Sequence, residues 1–302
     1  MDDIFYKQAH LLLRLLPEVA KVDAFALHGG TAINLFYHEM PRLSVDIDLT
    51  WVPFGERESD LQQIMEKLIS VSSGIKKAIP SIQSRKPVSE DDELKLYCSL
   101  SDITVKIEVN TINRGVLGTP VKMPLCIAAQ KRFDSYCEIK TVPLLQLYGG
   151  KLVAALDRQH PRDIFDCWKL LQTTGYTAEI HSGFLFCLLS SKRPVHEILD
   201  PRFIDQRPIF KSHFRGMTDE PFTYEKFEEV RSEIHLQIIK SLHTDDRGFL
   251  KSFVKGKPEW NDKPWQDFPG IKWKLMNIQK LKVNNPGKFQ FQLNQLETVL
   301  SW

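Results

Sequence analysis

The spacing of apolar positions changes near the middle of the chain, and that change divides it. Over residues 2–16, Ile4, Phe5, Ala9, Leu12, Leu13 and Leu16 recur at the interval of one helix face. Pro17 either ends that helix or opens a further turn. Phe25-Ala26-Leu27 is a short apolar run closing on Gly29-Gly30, the pattern of a buried strand and a tight turn. Residues 31–39 then read as a helix with Thr31 as its N-cap, stopped by Pro41. Val45-Asp46-Ile47-Asp48-Leu49 alternates strictly, which is the period of a strand. An amphipathic helix is expected over 57–78, through Leu61, Ile64, Met65, Leu68 and Val71. Two strands follow, at 93–100 and 103–110, joined at Ser101-Asp102, and a further strand near 138–142.

From Pro143 the helical period takes over. Leu144, Leu145, Leu147, Tyr148, Leu152 and Ala155 share a face. A second helix covers 162–172, with Ile164, Phe165, Trp168 and Leu171 inward and Gly175 as its stop. Pro194, Pro201, Pro208 and Pro221 mark 193–222 as a connecting segment. Another helix spans 224–243, 255–270 is irregular, and short helices cover 271–282 and 288–300. The expected organisation is an α/β domain over residues 1–142 and a mainly helical domain over 143–302.

Composition narrows the setting. The 302 residues are 42% hydrophobic, enough for one large core or two smaller ones. Lys and Arg total 40 against 38 Asp and Glu, a net +2 that carries no general nucleic-acid signature and leaves a local basic patch open. The five cysteines, Cys98, Cys126, Cys137, Cys167 and Cys187, lack C-x-x-C spacing. They argue against a zinc site or a disulfide framework and for reduced thiols in a cytoplasmic protein. The acidic start Met1-Asp2-Asp3-Ile4 is unlike a signal peptide. No stretch approaches the roughly 18 uncharged apolar residues of a membrane span.

The chemistry concentrates in His28-Gly29-Gly30-Thr31 and Arg42-Leu43-Ser44-Val45-Asp46-Ile47-Asp48-Leu49. Side chains alternate on a strand, so Asp46 and Asp48 share a face while Val45, Ile47 and Leu49 face the core. Two carboxylates about 7 Å apart along a strand can converge on a hard cation such as Mg²⁺ or Mn²⁺. Gly29 and Gly30 let the backbone approach a ligand, and the helix that follows presents N–H groups to phosphate. The Thr31 hydroxyl adds a donor. Alone, Gly-Gly-Thr is an ordinary turn and Asp-x-Asp an ordinary acid pair; their order on strand, turn, helix and strand is what points to nucleoside triphosphate chemistry. In 102–109, Glu108 shares a face with Lys106 and Thr104. It either completes a metal site, acts as general base, or is an exposed acid paired with Lys106. His28 reads as the packed end of the first strand. Arg42 either reaches the triphosphate or stabilises its loop.

A second block carries Lys151, Arg158 and Arg162, then Asp163 and Asp166. Lys151 and Arg158 fall on one side of a helix, and the two acids share a face of the next. A cationic row suits a triphosphate; mutual salt bridges are the plainer reading. For acceptor recognition, Lys76, Lys77, Arg85 and Lys86 form one basic stretch. Lys251, Lys255, Lys257, Lys263, Lys272 and Lys274 interleave with Phe253, Trp260, Trp265 and Trp273 in another. Such mixtures suit single-stranded RNA, or are solvated surface with the aromatics turned inward.

These blocks resemble the nucleotidyltransferase superfamily pattern, Gly-Gly or Gly-Ser followed by Asp-x-Asp on the next strand. They are most similar to the AbiEii/AbiGii-type toxins of bacterial toxin–antitoxin and abortive-infection systems. The resemblance covers roughly residues 25–170. It implies an α/β (α+β) polymerase-β-like fold with a mixed sheet and transfer of NMP from NTP to an acceptor, in some relatives the 3′ end of tRNA. It further implies a cognate antitoxin. By the same resemblance Asp46 and Asp48 would be metal ligands and Lys151 would contact the triphosphate, with Asp163 and Asp166 in the motif after it. Other readings of the fold are nucleotidylation of a protein hydroxyl, or a scaffold binding nucleotide or a partner without catalysis. One departure stands out: fourteen residues separate Thr31 from Asp46, a long interval for the superfamily.

Overall fold

A computed structural model describes residues 3–90, 92–261 and 263–301. The chain forms two compact units, Met1–Leu147 with Ser212–Pro221, and Tyr148–Lys211 with Phe222–Trp302.

The first unit is built on a mixed sheet. Its strands are β1 (Phe25–His28), β2 (Ile47–Trp51), β3 (Gln83–Ser84), β4 (Val88–Glu90), β5 (Glu93–Leu100), β6 (Ile103–Asn110), β7 (Val121–Pro124) and β8 (Glu138–Thr141). Their spatial order is β3-β5-β6-β2-β1-β8-β7, with β4 on β5. β2 pairs antiparallel to β1 and parallel to β6, while β1 runs parallel to β8. In β6 the alternation holds residue for residue: Ile103, Val105, Ile107 and Val109 are buried and their neighbours are not, whereas in β5 Lys95 is buried between Leu94 and Leu96. Helix α1 (Asp3–Ala20) packs on β6 and β8, and α3 (Arg57–Ala78) on β3 and β5, burying Leu11, Leu12, Leu15, Leu16, Ile64, Leu68 and Ile75. The expected start of α1 at residue 2 lies outside the described residues. Pro17 sits inside α1. A short helix, α4 (Ile127–Phe133), joins β7 to β8.

Two expectations need correction. The helix after β1 starts at Gly29, two residues earlier than expected, as α2 (Gly29–Ala32) continuing in a wider π-type turn through Ile33–Tyr37. His28 is its N-cap residue, and Thr31 lies inside it. Strand β2 starts at Ile47 rather than Val45, so Asp46 stands just ahead of it. The in–out alternation nonetheless runs through: Val45, Ile47 and Leu49 are buried, Asp46 and Asp48 half-buried.

The second unit is helical. It contains the greater part of α5 (Leu144–Asp157), then α6 (Pro161–Gln172), α7 (Ala178–Leu188), α8 (Val195–Leu199), the greater part of α9 (Arg207–His213), α10 (Tyr224–Ser241), α11 (Thr244–Val254), α12 (Pro269–Asn284) and α13 (Pro286–Val299). α10 packs on α6, and α12 on α13. Gly149 of α5 lies so close to Gly183 of α7 that a Cβ would overlap the Gly183 backbone. The segment 193–222, expected to be only a connection, holds the short helices α8 and α9, and its residues 212–221 belong to the first unit. Among the described residues no helix is long and apolar enough to cross a membrane.

Candidate functional site

The strand register gathers the first-unit residues singled out by sequence. His28 of β1 is opposite Asp48 of β2, Asp48 is opposite Glu108 of β6, and Glu108 is opposite Lys95 of β5. Residues in register share a face of the sheet, so one row of polar side chains crosses four adjacent strands. Its apolar counterparts, Ile47, Leu49, Ile107 and Val109, are buried.

The glycine turn meets this row. Gly29 has φ of 68°, a conformation that only glycine adopts at little cost, and a Cβ there would overlap Asp48 Oδ2. The Asp48 carboxylate therefore lies directly against the turn. A Cβ on Gly30 would strike the Arg42 guanidinium. Arg42 is buried and donates to the Leu43 carbonyl at 2.8 Å, so it braces the loop beneath the turn. Thr31, also buried, has its hydroxyl engaged by Ser44 Oγ at 2.7 Å and donates it to the Asp46 carbonyl. That hydroxyl holds the backbone of an acid rather than waiting for phosphate.

Glu108 is tightly held. Lys106 Nζ approaches Glu108 Oε1 to 2.5 Å and Lys95 Nζ is 3.8 Å from Oε2. Burial, reinforced by a hydrogen bond with Glu93 and opposed by Lys106, pushes the Glu108 carboxyl up to about 7. The Lys106 ammonium loses some stability to burial, but Glu108, Asp46 and Asp48 hold its pKa above the ordinary value. Among the described residues no three His, Cys, Asp or Glu side chains are arranged as a ready metal cluster. Lys106 draws Glu108 into an ion pair instead.

Support for the acid loop comes from far along the chain. Leu43 N–H donates to the Met217 carbonyl at 2.8 Å, and the Thr218 hydroxyl to the Pro41 carbonyl at 2.7 Å. Phe214 and Met217 are fully buried within this unit. No local pattern in the sequence marks them, because their partners lie more than 170 residues away.

In the second unit the plainer reading of the basic block is what the structure contains. Lys151 Nζ lies 2.8 Å from Asp163 and 3.1 Å from Asp166, and Arg158 Nε 2.6 Å from Asp163. Both acids and Lys151 are buried. Burial alone would raise the Asp163 carboxyl, but Lys151 and Arg158 more than offset it and hold it well below the usual carboxylate range. The His160 side chain caps α6 by accepting from Arg162 N–H. The aromatic-basic segment also turns inward: Phe253 and Trp265 are buried, and Trp260 packs edge-on against Phe253 with centroids 6.2 Å apart.

The family model for the nucleotidyl transferase AbiEii toxin of type IV toxin–antitoxin systems matches residues 10–277. The chain belongs to the AbiEii family. It is thus a nucleotidyltransferase and a type IV toxin. The match extends through most of the helical unit, well past the blocks that carried the sequence resemblance. Among solved structures, MenT4, a nucleotidyltransferase toxin from Mycobacterium tuberculosis H37Rv, superposes with a TM-score of 0.63. That likeness covers 91% of this AbiEii chain and 93% of MenT4 at 12% identity, so it is a likeness of fold. It agrees with the expected mixed-sheet architecture and helical C-terminal region. No curated protein sequence matches the chain significantly.

Proposed function

We propose that this AbiEii protein transfers NMP from an NTP to RNA, at the 3′ end of tRNA, with Asp46, Asp48 and Glu108 as its catalytic acids. Its toxicity would be checked by a cognate antitoxin. The observation that carries this reading is the contact between the Asp48 carboxylate and the Gly29 turn, in register with Glu108.

The donor chemistry fits a hard divalent cation. Asp46 and Asp48 offer half-buried carboxylate oxygens on one side of the sheet, the ligands that Mg²⁺ or Mn²⁺ prefers. When bound, such an ion supplies positive charge against the triphosphate oxygens. The chain's own residues do the rest. The Gly29–Gly30 backbone receives the phosphates. Thr31 holds Asp46 in place and Arg42 braces the loop. As the acceptor hydroxyl oxygen attacks the α-phosphorus, the bond to the departing pyrophosphate breaks in line, and Glu108 takes the hydroxyl proton. Lys106 orients Glu108 for this. Service of Glu108 as a third metal ligand requires its release from Lys106. The phosphate-binding role expected of Lys151 is kept as a proposal for the helical unit by itself, where Asp163 and Asp166 hold its ammonium and Arg158 binds Asp163.

The test incubates the full chain with each labelled NTP and, separately, total tRNA or total protein. Label in tRNA is the expected result. Label in protein alone would move the acceptor to a protein hydroxyl, and NTP binding without pyrophosphate release would remove the catalytic reading.

A further inference from the structure

The helical pair α12–α13 carries a run of positive charge. Between Asp267 and Glu297 there is no acidic residue, while Lys272, Lys274, Lys280, Lys282 and Lys288 all fall there. A groove of about 290 Å³ opens on this pair, lined by Lys192, Trp273, Asn277, Lys288 and Gln292 among others. Lys274 forms its buried floor. The Lys274 ammonium donates to the Ser191 carbonyl at 2.7 Å and to the Arg193 carbonyl, which pins the turn that carries Lys192 to the rim. Burial pushes the Lys274 pKa down to about 8, against the opposing pull of Glu197 and Asp157. Lys288, Phe291 and Gln292 follow one another on one face of α13 by their spacing. Phe291 is 59% exposed and meets the His196 ring edge-on, with centroids 6.5 Å apart.

We infer that the α12–α13 groove binds single-stranded RNA, with Lys192 and Lys288 on phosphates, Phe291 and Trp273 as stacking surfaces, and Asn277 and Gln292 toward base edges. Cations, an aromatic ring and amides lining one groove match the needs of an unpaired strand. The net positive charge of α12 and α13 favours a polyanion over a neutral protein partner. This inference rests on the reading of RNA as acceptor, and it gives that RNA a place on the helical unit.

The test is fluorescence anisotropy of a short labelled single-stranded RNA with the full chain, over a salt series. Each lost phosphate contact lowers the slope of log K against log salt by about 0.7 for single strands, so Lys192→Gln/Lys288→Gln is expected to lower it by about 1.4. Phe291→Ala is expected to weaken binding about ten-fold with the slope unchanged. All are surface changes, and an unchanged denaturation midpoint verifies folding. If no RNA is ever labelled yet the lysine variant loses binding, the acceptor proposal fails and the groove stands. Wild-type affinity and slope in the lysine variant overturn the inference, as does loss of an acidic protein's binding in place of RNA.

Discussion

Replacing Gly29 by Ala puts the contact between the turn and Asp48 to a quantitative test. Two costs arise. At φ of 68° an L-residue is strained by about 1–2 kcal/mol. The new methyl would also occupy the position of Asp48 Oδ2, so the carboxylate must swing away. A displacement of about 1 Å in a reacting constellation costs on the order of a hundred-fold in rate. Gly175 is the control. It has φ of 73°, and a Cβ there would meet nothing within 4 Å. Gly175→Ala should therefore lose the same 1–2 kcal/mol or so in urea denaturation and keep the wild-type transfer rate per folded molecule. Gly29→Ala should lose similar stability and about a hundred-fold in labelled-NTP transfer. A Gly29→Ala enzyme with full activity, or equal losses of rate in both variants, would refute the reasoning.

Other expectations follow from single contacts. Thr31→Val keeps the shape but strands the Asp46 carbonyl and Ser44. It should cost about 1–3 kcal/mol in denaturation and lower transfer, whereas a phosphate-binding Thr31 would change KM for NTP alone. Lys151→Met leaves two buried carboxylates with Arg158 alone, and should destabilise by about 3–5 kcal/mol in urea melts. The depressed Asp163 carboxyl sets a pH dependence: its contribution is complete above the ordinary Asp value of about 3.9 and is lost as pH falls through its lower folded value. Urea midpoints should accordingly fall steeply below about pH 4 in wild type and less steeply in Lys151→Met, where the shift is largely removed.

Periodicity made the sheet and most helices legible. The bounds of α3 and β6 follow directly from the periods of their apolar positions, since each has one buried and one wet face. Proximity of the Gly-Gly turn to the acid pair was legible too, because both flank one strand–helix–strand passage. What the hydroxyl of Thr31 bonds was not, because a cap and a tertiary hydrogen bond use the same residue type. Lys151 with Asp163 and Asp166 shows the same ambiguity: helical spacing places the charges together and cannot separate a phosphate site from a buried ion pair. The inward turn of Phe253 and Trp265 depended on packing that the mixed Lys/Trp composition hides. Met217 and Thr218, which brace the acid loop, carry no local signal at all.

The most direct measurement compares wild type, Asp46→Ala and Asp48→Ala with labelled NTP, Mg²⁺ and cellular RNA, following both RNA label and released pyrophosphate. Neither substitution removes core packing, so all three proteins should share one thermal midpoint within a few degrees. Label and pyrophosphate should appear with wild type and vanish in both variants. Undiminished transfer by either folded variant would contradict the assignment of Asp46 and Asp48 to catalysis.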